Sequence, residues 1–258
     1  MKDDTGENKV ALITGGGGGI GEGLALSLGA GGYHVLVSDM DSQAAEQVAV
    51  KIIDAGGSAE SLVLDVTQQS DIDTLADRFN RVDLLVNNAG IQHVAPLEDF
   101  PVDRWRLITE VLLIGPAMLT RAVLSKMRAN NFGRIINIGS IHSLVASPYK
   151  SAYVAAKHGL IGFSKTVALE VADHDITINT ICPSYVKTPL VEKQISDQAK
   201  AHGISEEEVI NKIMLAPMPK KSFIEMNEIY ACVAYLASAE ACNMTAQSLV
   251  IDGAWTAR

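Results

Sequence analysis

Thr14-Gly15-Gly16-Gly17-Gly18-Gly19-Ile20-Gly21 stands between an apolar run, Val10–Thr14, and a helical pattern that starts at Glu22. Glycine allows a tight turn and a close backbone approach, and a helix opening straight after it turns its first N–H groups toward whatever lies above the turn. Strand, glycine turn and helix together make the corner on which a dinucleotide's phosphates rest. Five glycines in a row satisfy GxGxxG (Gly16, Gly18, Gly21) almost by default, and a merely flexible turn would read the same. The weight comes from context: the next apolar run ends in Asp39, about the distance at which an acidic residue takes the adenosine ribose hydroxyls. Gly15, Gly19 and Ile20 are the candidate turn contacts and Asp39 the candidate ribose contact. The alternative, a solvated loop aspartate, stays open for Asp39 as for Asp41.

Outward from this corner the same alternation continues to the C-terminus. Strand-like runs are expected at Val10–Thr14, Tyr33–Asp39, Ala59–Asp65, Val82–Asn87, Arg134–Gly139, Thr177–Ile181 and Ser248–Asp252, with helical spacing between them, as in Leu107, Val111, Ile114 and Met118. The strands are continuous apolar runs (Leu84-Leu85-Val86, Ile135-Ile136), which a parallel sheet covered on both faces requires. The expectation is an α/β chain: one domain over 1–258, a doubly wound (Rossmann) fold with a seven-stranded parallel sheet. Residues 183–226 break the alternation with two helical patterns, Pro217 and Pro219, and read as a small helical lid inserted over the strand ends.

Composition narrows the function. With 258 residues, 48% hydrophobic and 20% charged, the chain can bury roughly 70–75% of its unfolded surface, which excludes disorder. The best apolar stretch, Val111 to Leu119, is interrupted by Gly115-Pro116 and falls short of the roughly 20 residues of a membrane span. The polar start MKDDTGENK lacks the pattern of a signal peptide, so a cytoplasmic location is expected. A net charge of −9 without a basic block disfavours nucleic acid and anionic membrane as partners. Three cysteines, Cys182, Cys232 and Cys242, without CxxC spacing suggest reduced, buried thiols and no metal site. Asp39 would repel a ribose 2′-phosphate, and Ser38, Met40 and Ser42 bring no cation, so NAD is expected over NADP.

After the fifth run comes Ser140, and the next helical segment carries Tyr153 and Lys157, four apart on one face. YxxxK occurs by chance in many helices. Behind a dinucleotide corner, with a serine at the preceding strand end, it becomes a reaction centre. An ammonium beside a phenol lowers its pKa and makes Tyr153 a general acid/base near neutral pH, while Ser140 orients the substrate oxygen.

With these residues in place the chain resembles the short-chain dehydrogenase/reductase family over nearly its whole length. The resemblance is carried by TGGGGGIG (14–21), Asp65-Val66, NNAG (87–90), Ser140 with Tyr153 and Lys157, and Pro183 to Thr188. It implies a homotetramer built on the long helices near 103–128 and 151–172. It puts Asp65 and Asn88 along the adenine side of the cofactor, and Val186 and Thr188 at the nicotinamide carboxamide. Within the family the chain is similar to bacterial dehydrogenases of (R)-3-hydroxybutyrate, through NNAGIQH, FGRIINI, KSAYVAAKHG, TPLVEKQI and DGAWTAR. That likeness implies a small carboxylate substrate held by Gln92, His142, Lys150 and Gln194, with Trp255 near its methyl end. One lysine and three neutral donors suit a carboxylate in an otherwise acidic protein.

Three departures bear on the reading. Leu112 stands where the family carries an asparagine beside a proton-relay water, and no asparagine occurs between Asn88 and Asn130. The family's Pro-Gly-Trp is Pro183-Ser184-Tyr185, and Ala246 replaces a glycine. The alternatives are therefore the same chemistry on a related hydroxy acid or secondary alcohol, or an NAD-binding paralogue of low turnover.

Overall fold

The computed structural model describes residues 8–188, 191–192, 195–196, 199–200 and 203–257. All seven expected strands form: β1 (Val10–Thr14), β2 (His34–Asp39), β3 (Ser58–Val63), β4 (Leu84–Asn87), β5 (Gly133–Ile138), β6 (Ile176–Pro183) and β7 (Ser248–Ile251). They pair in parallel in the order β3-β2-β1-β4-β5-β6-β7. Every residue of β5 and β6 is buried, the polar Arg134, Asn137, Thr177, Asn179 and Thr180 included.

Helices cover both faces. On one side α1 (Gly19–Ala30), α2 (Ser42–Asp54) and α7 (Met226–Leu236) bury Leu24, Leu28, Val48, Ile52, Ile229 and Val233 against Ile13, Val35 and Val86. On the other, α3 (Gln69–Arg78), α4 (Val102–Thr109), α5 (Gly115–Ala129) and α6 (Ser151–Glu170) bury Ile72, Ile108, Leu119 and Val167 against Leu12, Leu85 and Ile135. The strand order turns back between β1 and β4, so the crevice for a ligand opens at their C-terminal ends.

The long helix expected near 103–128 forms. Helix runs without a break from Val102 to Ala129, long and apolar enough by length and composition alone to cross a membrane, with a mean hydropathy of 1.7 over its most apolar 18 residues. Its Ile108, Leu112, Leu119, Val123 and Met127 are buried on the sheet, the pattern of an amphipathic core helix. A π-turn, Glu110–Ile114, links α4 to α5: the Gly115 N–H reaches back five residues to the Glu110 carbonyl. Pro116 then sits in the first turn of α5, where its missing N–H is tolerated.

Two smaller expectations also change. Cys182 is buried, but Cys232 is half-buried and Cys242 exposed. Ala246 adopts φ +59, a left-handed conformation that costs an alanine about 1–2 kcal/mol and explains why glycine suits the position. In 183–226, Val186 bridges Ile224, and a short helical stretch (Glu206–Glu208, then Val209–Met214) buries Val209 and Met214 beside Tyr185.

Candidate active site

One cleft of about 540 Å³ opens at the strand ends. It is lined by Gly15, Gly19, Ile20, Asp39, Asp65, Asn88, Gln92, Ser140, His142, Lys150, Tyr153, Val186, Thr188 and Trp255. Every site residue expected from sequence thus converges there, except Lys157, which is buried behind Tyr153, and Gln194, which lies outside the described residues. Met40, Leu64, Ile91, Val111, Ser184, Tyr185 and Val191 also line the cleft. Of these, the resemblance implied only Tyr185, as a changed substrate-facing aromatic.

The glycine corner fits a pyrophosphate. Gly18 caps α1 without a side-chain hydrogen bond, so the first N–H groups of the helix keep no side-chain acceptor. A Cβ placed on Gly18 or Gly19 would meet nothing within 4 Å, whereas one on Gly21 would lie 2.0 Å from the Gly15 carbonyl. Open space above the turn and backbone contact beneath it form a cradle for an anion. Asp39 is held at the rim by two backbone donors, Gly17 N–H at 3.0 Å and Asp41 N–H at 3.0 Å. Asp41 itself caps α2, accepting from the Gln43 and Ala44 amides, which gives it a structural role.

Asn88 is also largely structural. Its amide nitrogen donates to the carbonyls of Thr14 and Gly15, at 3.0 and 3.1 Å, and staples β4 to the glycine turn. Asp65 accepts from the Thr67 N–H and hydroxyl through one oxygen, Oδ1.

At the opposite end Ser140 caps a single turn, Ile141–Ser143: its Oγ accepts from the His142 N–H at 3.2 Å, and the Ser143 hydroxyl accepts from the Ser140 N–H. The Tyr153 hydroxyl hydrogen-bonds the Ser140 side chain. Burial raises the phenol pKa, and that hydrogen bond opposes the rise. Lys157 is only 5% exposed, donates from Nζ to the Ile138 carbonyl at 2.6 Å, and lies 5.8 Å from the Tyr153 ring centre. Burial pushes its pKa down to about 8. The expected lowering of Tyr153 by Lys157 is therefore not met in the protein alone. The lysine gives up its proton before the phenol does, so its charge is gone when a phenolate would need it. Cys182 adjoins both Tyr153 and Lys157, but burial raises its thiol and keeps it protonated.

Lys150 Nζ donates to His142 Nε2 at 3.3 Å, which leaves the ring proton on Nδ1, buried toward the Val145 backbone. His142 packs edge-on against Tyr153 and Trp255, at 6.2 and 6.1 Å between ring centres. Trp255 is held in turn by Asp252, whose carboxylate accepts from the Ala254 and Thr256 amides. A cation, an imidazole and two aromatic rings thus stand beside a Ser–Tyr pair.

Burial first, and the Lys150 charge second, push the His142 pKa from 6.5 down to about 4. On acidification the unfolded chain takes up this proton before the folded one. Stability present above pH 6.5 is lost between about 6.5 and 4, by about 3 kcal/mol. His142→Gln is expected to flatten that limb of a Tm-against-pH curve; an unchanged limb would mean that the ring is not buried neutral.

A parallel sheet with an anion cradle at its switch point, an acidic ribose-side residue and a Ser–Tyr pair backed by lysine defines a nucleotide-dependent oxidoreductase. The chain belongs to the short-chain dehydrogenase family, whose model matches residues 9–199, and members of this family bind a nicotinamide cofactor. It is 45% identical to a D-beta-hydroxybutyrate dehydrogenase of Rhizobium meliloti (strain 1021), over 97% of this chain and 99% of that one. It is 40% identical to an enzyme of the same name from Cupriavidus necator, over 97% and 98%. Among solved structures, a phenylalanine-to-tryptophan variant of actinorhodin polyketide ketoreductase with NADPH matches with TM-score 0.90 and 31% identity, covering 99% of both chains.

Proposed function

We propose that this chain is an NAD-dependent dehydrogenase that interconverts (R)-3-hydroxybutyrate and acetoacetate. The observation that carries the reading is the Lys150–His142 pair standing across one cleft from the hydrogen-bonded Ser140 and Tyr153. The 45% identity to the Rhizobium enzyme supports it.

Gly15, Gly19, Ile20 and the N-terminus of α1 hold the cofactor's pyrophosphate, Asp39 its adenosine ribose, Asp65 and Asn88 the adenine side, and Val186 and Thr188 the nicotinamide carboxamide. When bound, the nicotinamide accepts a hydride from the alcohol carbon or returns it to the ketone. Ser140 orients the reacting oxygen, and Tyr153 takes its proton in oxidation and gives it in reduction. Lys150 pairs with the substrate carboxylate, helped by His142, by Gln92 and, by family likeness, by Gln194; Trp255 covers the methyl end. Residues 183–226 close over the substrate as a lid. Leu107 and Ile114 on the α4–α5 run and Leu169 on α6 leave apolar surface exposed, which supports a homotetramer through those helices in the cytoplasm.

The Asp39 carboxylate, with Ser38, Met40 and Asp41 beside it and no cation among them, repels a 2′-phosphate. At an effective dielectric of about 20 this is worth roughly 100-fold in favour of NAD. NADH absorbance with each 3-hydroxybutyrate enantiomer and each cofactor tests the whole reading. Rapid oxidation of the (R) form with NAD is expected; equal kcat/KM with NADP would overturn the cofactor assignment.

The low-turnover alternative rests on Leu112, which is 1% exposed, packs toward Gly90 and offers no hydrogen bond. The π-turn weakens that argument. The ordinary donor to the Val111 carbonyl, Gly115 N–H, is diverted to Glu110, and the donor to the Leu112 carbonyl would be Pro116, which has none.

A further inference from the structure

Ser184 and Tyr185 both depart from the family's Pro-Gly-Trp, and the structure separates their effects. The Ser184 hydroxyl is turned onto the Met218 sulfur at 3.3 Å, so that change is absorbed inside the fold. Tyr185 is different. Its ring stacks, tilted by 32°, on Trp255 at 6.2 Å between centres, and its other side packs on Val209 and Met214. Its backbone is fixed by the Ile224 N–H, which donates to the Tyr185 carbonyl at 2.9 Å. The residue lines the cleft, and its hydroxyl makes no hydrogen bond among the described residues. A phenol set in an aromatic wall loses water on that side and recovers the loss only through a partner. Trp255 thus links Tyr185 to the His142–Lys150 pair in one run of ring contacts. A substrate whose carboxylate sits at Lys150 turns its other end toward Tyr185.

We infer that Tyr185 is a specificity-determining residue that hydrogen-bonds a polar group on the substrate carbon beyond the reacting one, so that the preferred substrate class is the 4-hydroxylated 3-hydroxy acids. The inference rests on the proposed function and deepens it. The reaction balances as before: the C3 alcohol becomes a ketone, its hydride passes to NAD+, and its hydroxyl proton passes to Tyr153.

The test compares kcat/KM for (R)-3-hydroxybutyrate and for 3,4-dihydroxybutyrate in the wild type, Tyr185→Phe and Tyr185→Trp, with circular dichroism to confirm folding. The wild type is expected to favour the dihydroxy acid. The ratio of the two kcat/KM values is expected to fall about 3- to 10-fold in Tyr185→Phe, the worth of one neutral hydrogen bond, and at least as far in Tyr185→Trp. A ratio unchanged by Tyr185→Phe overturns the inference and leaves the proposed function standing. An equal loss on both acids does the same, since the hydroxyl would then serve a part they share. Oxidation of neither acid overturns both.

Discussion

Tyr153→Phe is expected to lower kcat by roughly 10²- to 10⁴-fold while NADH binding changes little. The substitution deletes one hydroxyl. The ring keeps its edge-on contact with His142, and only the hydrogen bond to Ser140 is lost. What disappears is the group that exchanges a proton with the substrate oxygen. The sign with pH follows from that role. Oxidation needs the phenolate, so its kcat/KM rises with pH in the wild type; reduction needs the phenol, so its rate falls. Because burial raises the Tyr153 pKa, the rising limb should extend well above neutrality. Both limbs should vanish in Tyr153→Phe, whose residual rate is flat. Steady-state rates from pH 6 to 10, with NADH fluorescence titrations, check this. A variant that keeps its pH limbs would show that another group moves the proton.

Much of the fold was legible because its signals are local. Five glycines between a strand and a helix, and apolar runs such as Ile135-Ile136, dictate a buried parallel sheet whichever neighbours they find. Ser140, Tyr153 and Lys157 were legible because a strand end and one helical turn bring them together by spacing alone. What escaped depends on partners distant in sequence. Asn88 was read as a ligand contact and does line the cleft, but its second task, stapling Thr14 and Gly15, exists only once β4 lies beside β1. The long helix near 103–128 was expected, but the π-turn that carries it into Gly115-Pro116 leaves no mark in the apolar spacing. His142 looked like an independent donor, but Lys150 occupies its Nε2 and fixes the tautomer. Whether Cys242 faces solvent or core is likewise a tertiary fact that spacing does not encode.

Lys157→Met is expected to cost at least as much turnover as Tyr153→Phe, and by a different route. The lysine is sealed in at 5% exposure, with the Ile138 carbonyl as its close acceptor and the Tyr153 ring 5.8 Å away. A unit charge at about 6 Å in an effective dielectric of about 20 is worth roughly 2–3 kcal/mol to a phenolate, or about two pKa units, provided the lysine stays protonated. In the protein alone burial brings its pKa down to about 8, so the charge is kept at neutral pH and lost above it. Hydroxyl acceptors brought by a bound ligand would hold the ammonium charged, which couples ligand binding to activation of Tyr153. Methionine has similar length and no charge, so that coupling ends. The oxidation limb should move up by about two pH units, with kcat at neutral pH falling roughly 100-fold or more, and the KM for NAD should rise. Stability should go the other way. A buried ammonium carries a desolvation cost that an apolar side chain of like size does not, so Lys157→Met is expected to match or exceed the wild-type Tm. An inactive but more stable protein would show that Lys157 is retained for its charge at a cost in stability. If the Tm falls by many degrees, or the pH limb stays in place, the lysine is a packing residue and its charge does not govern Tyr153.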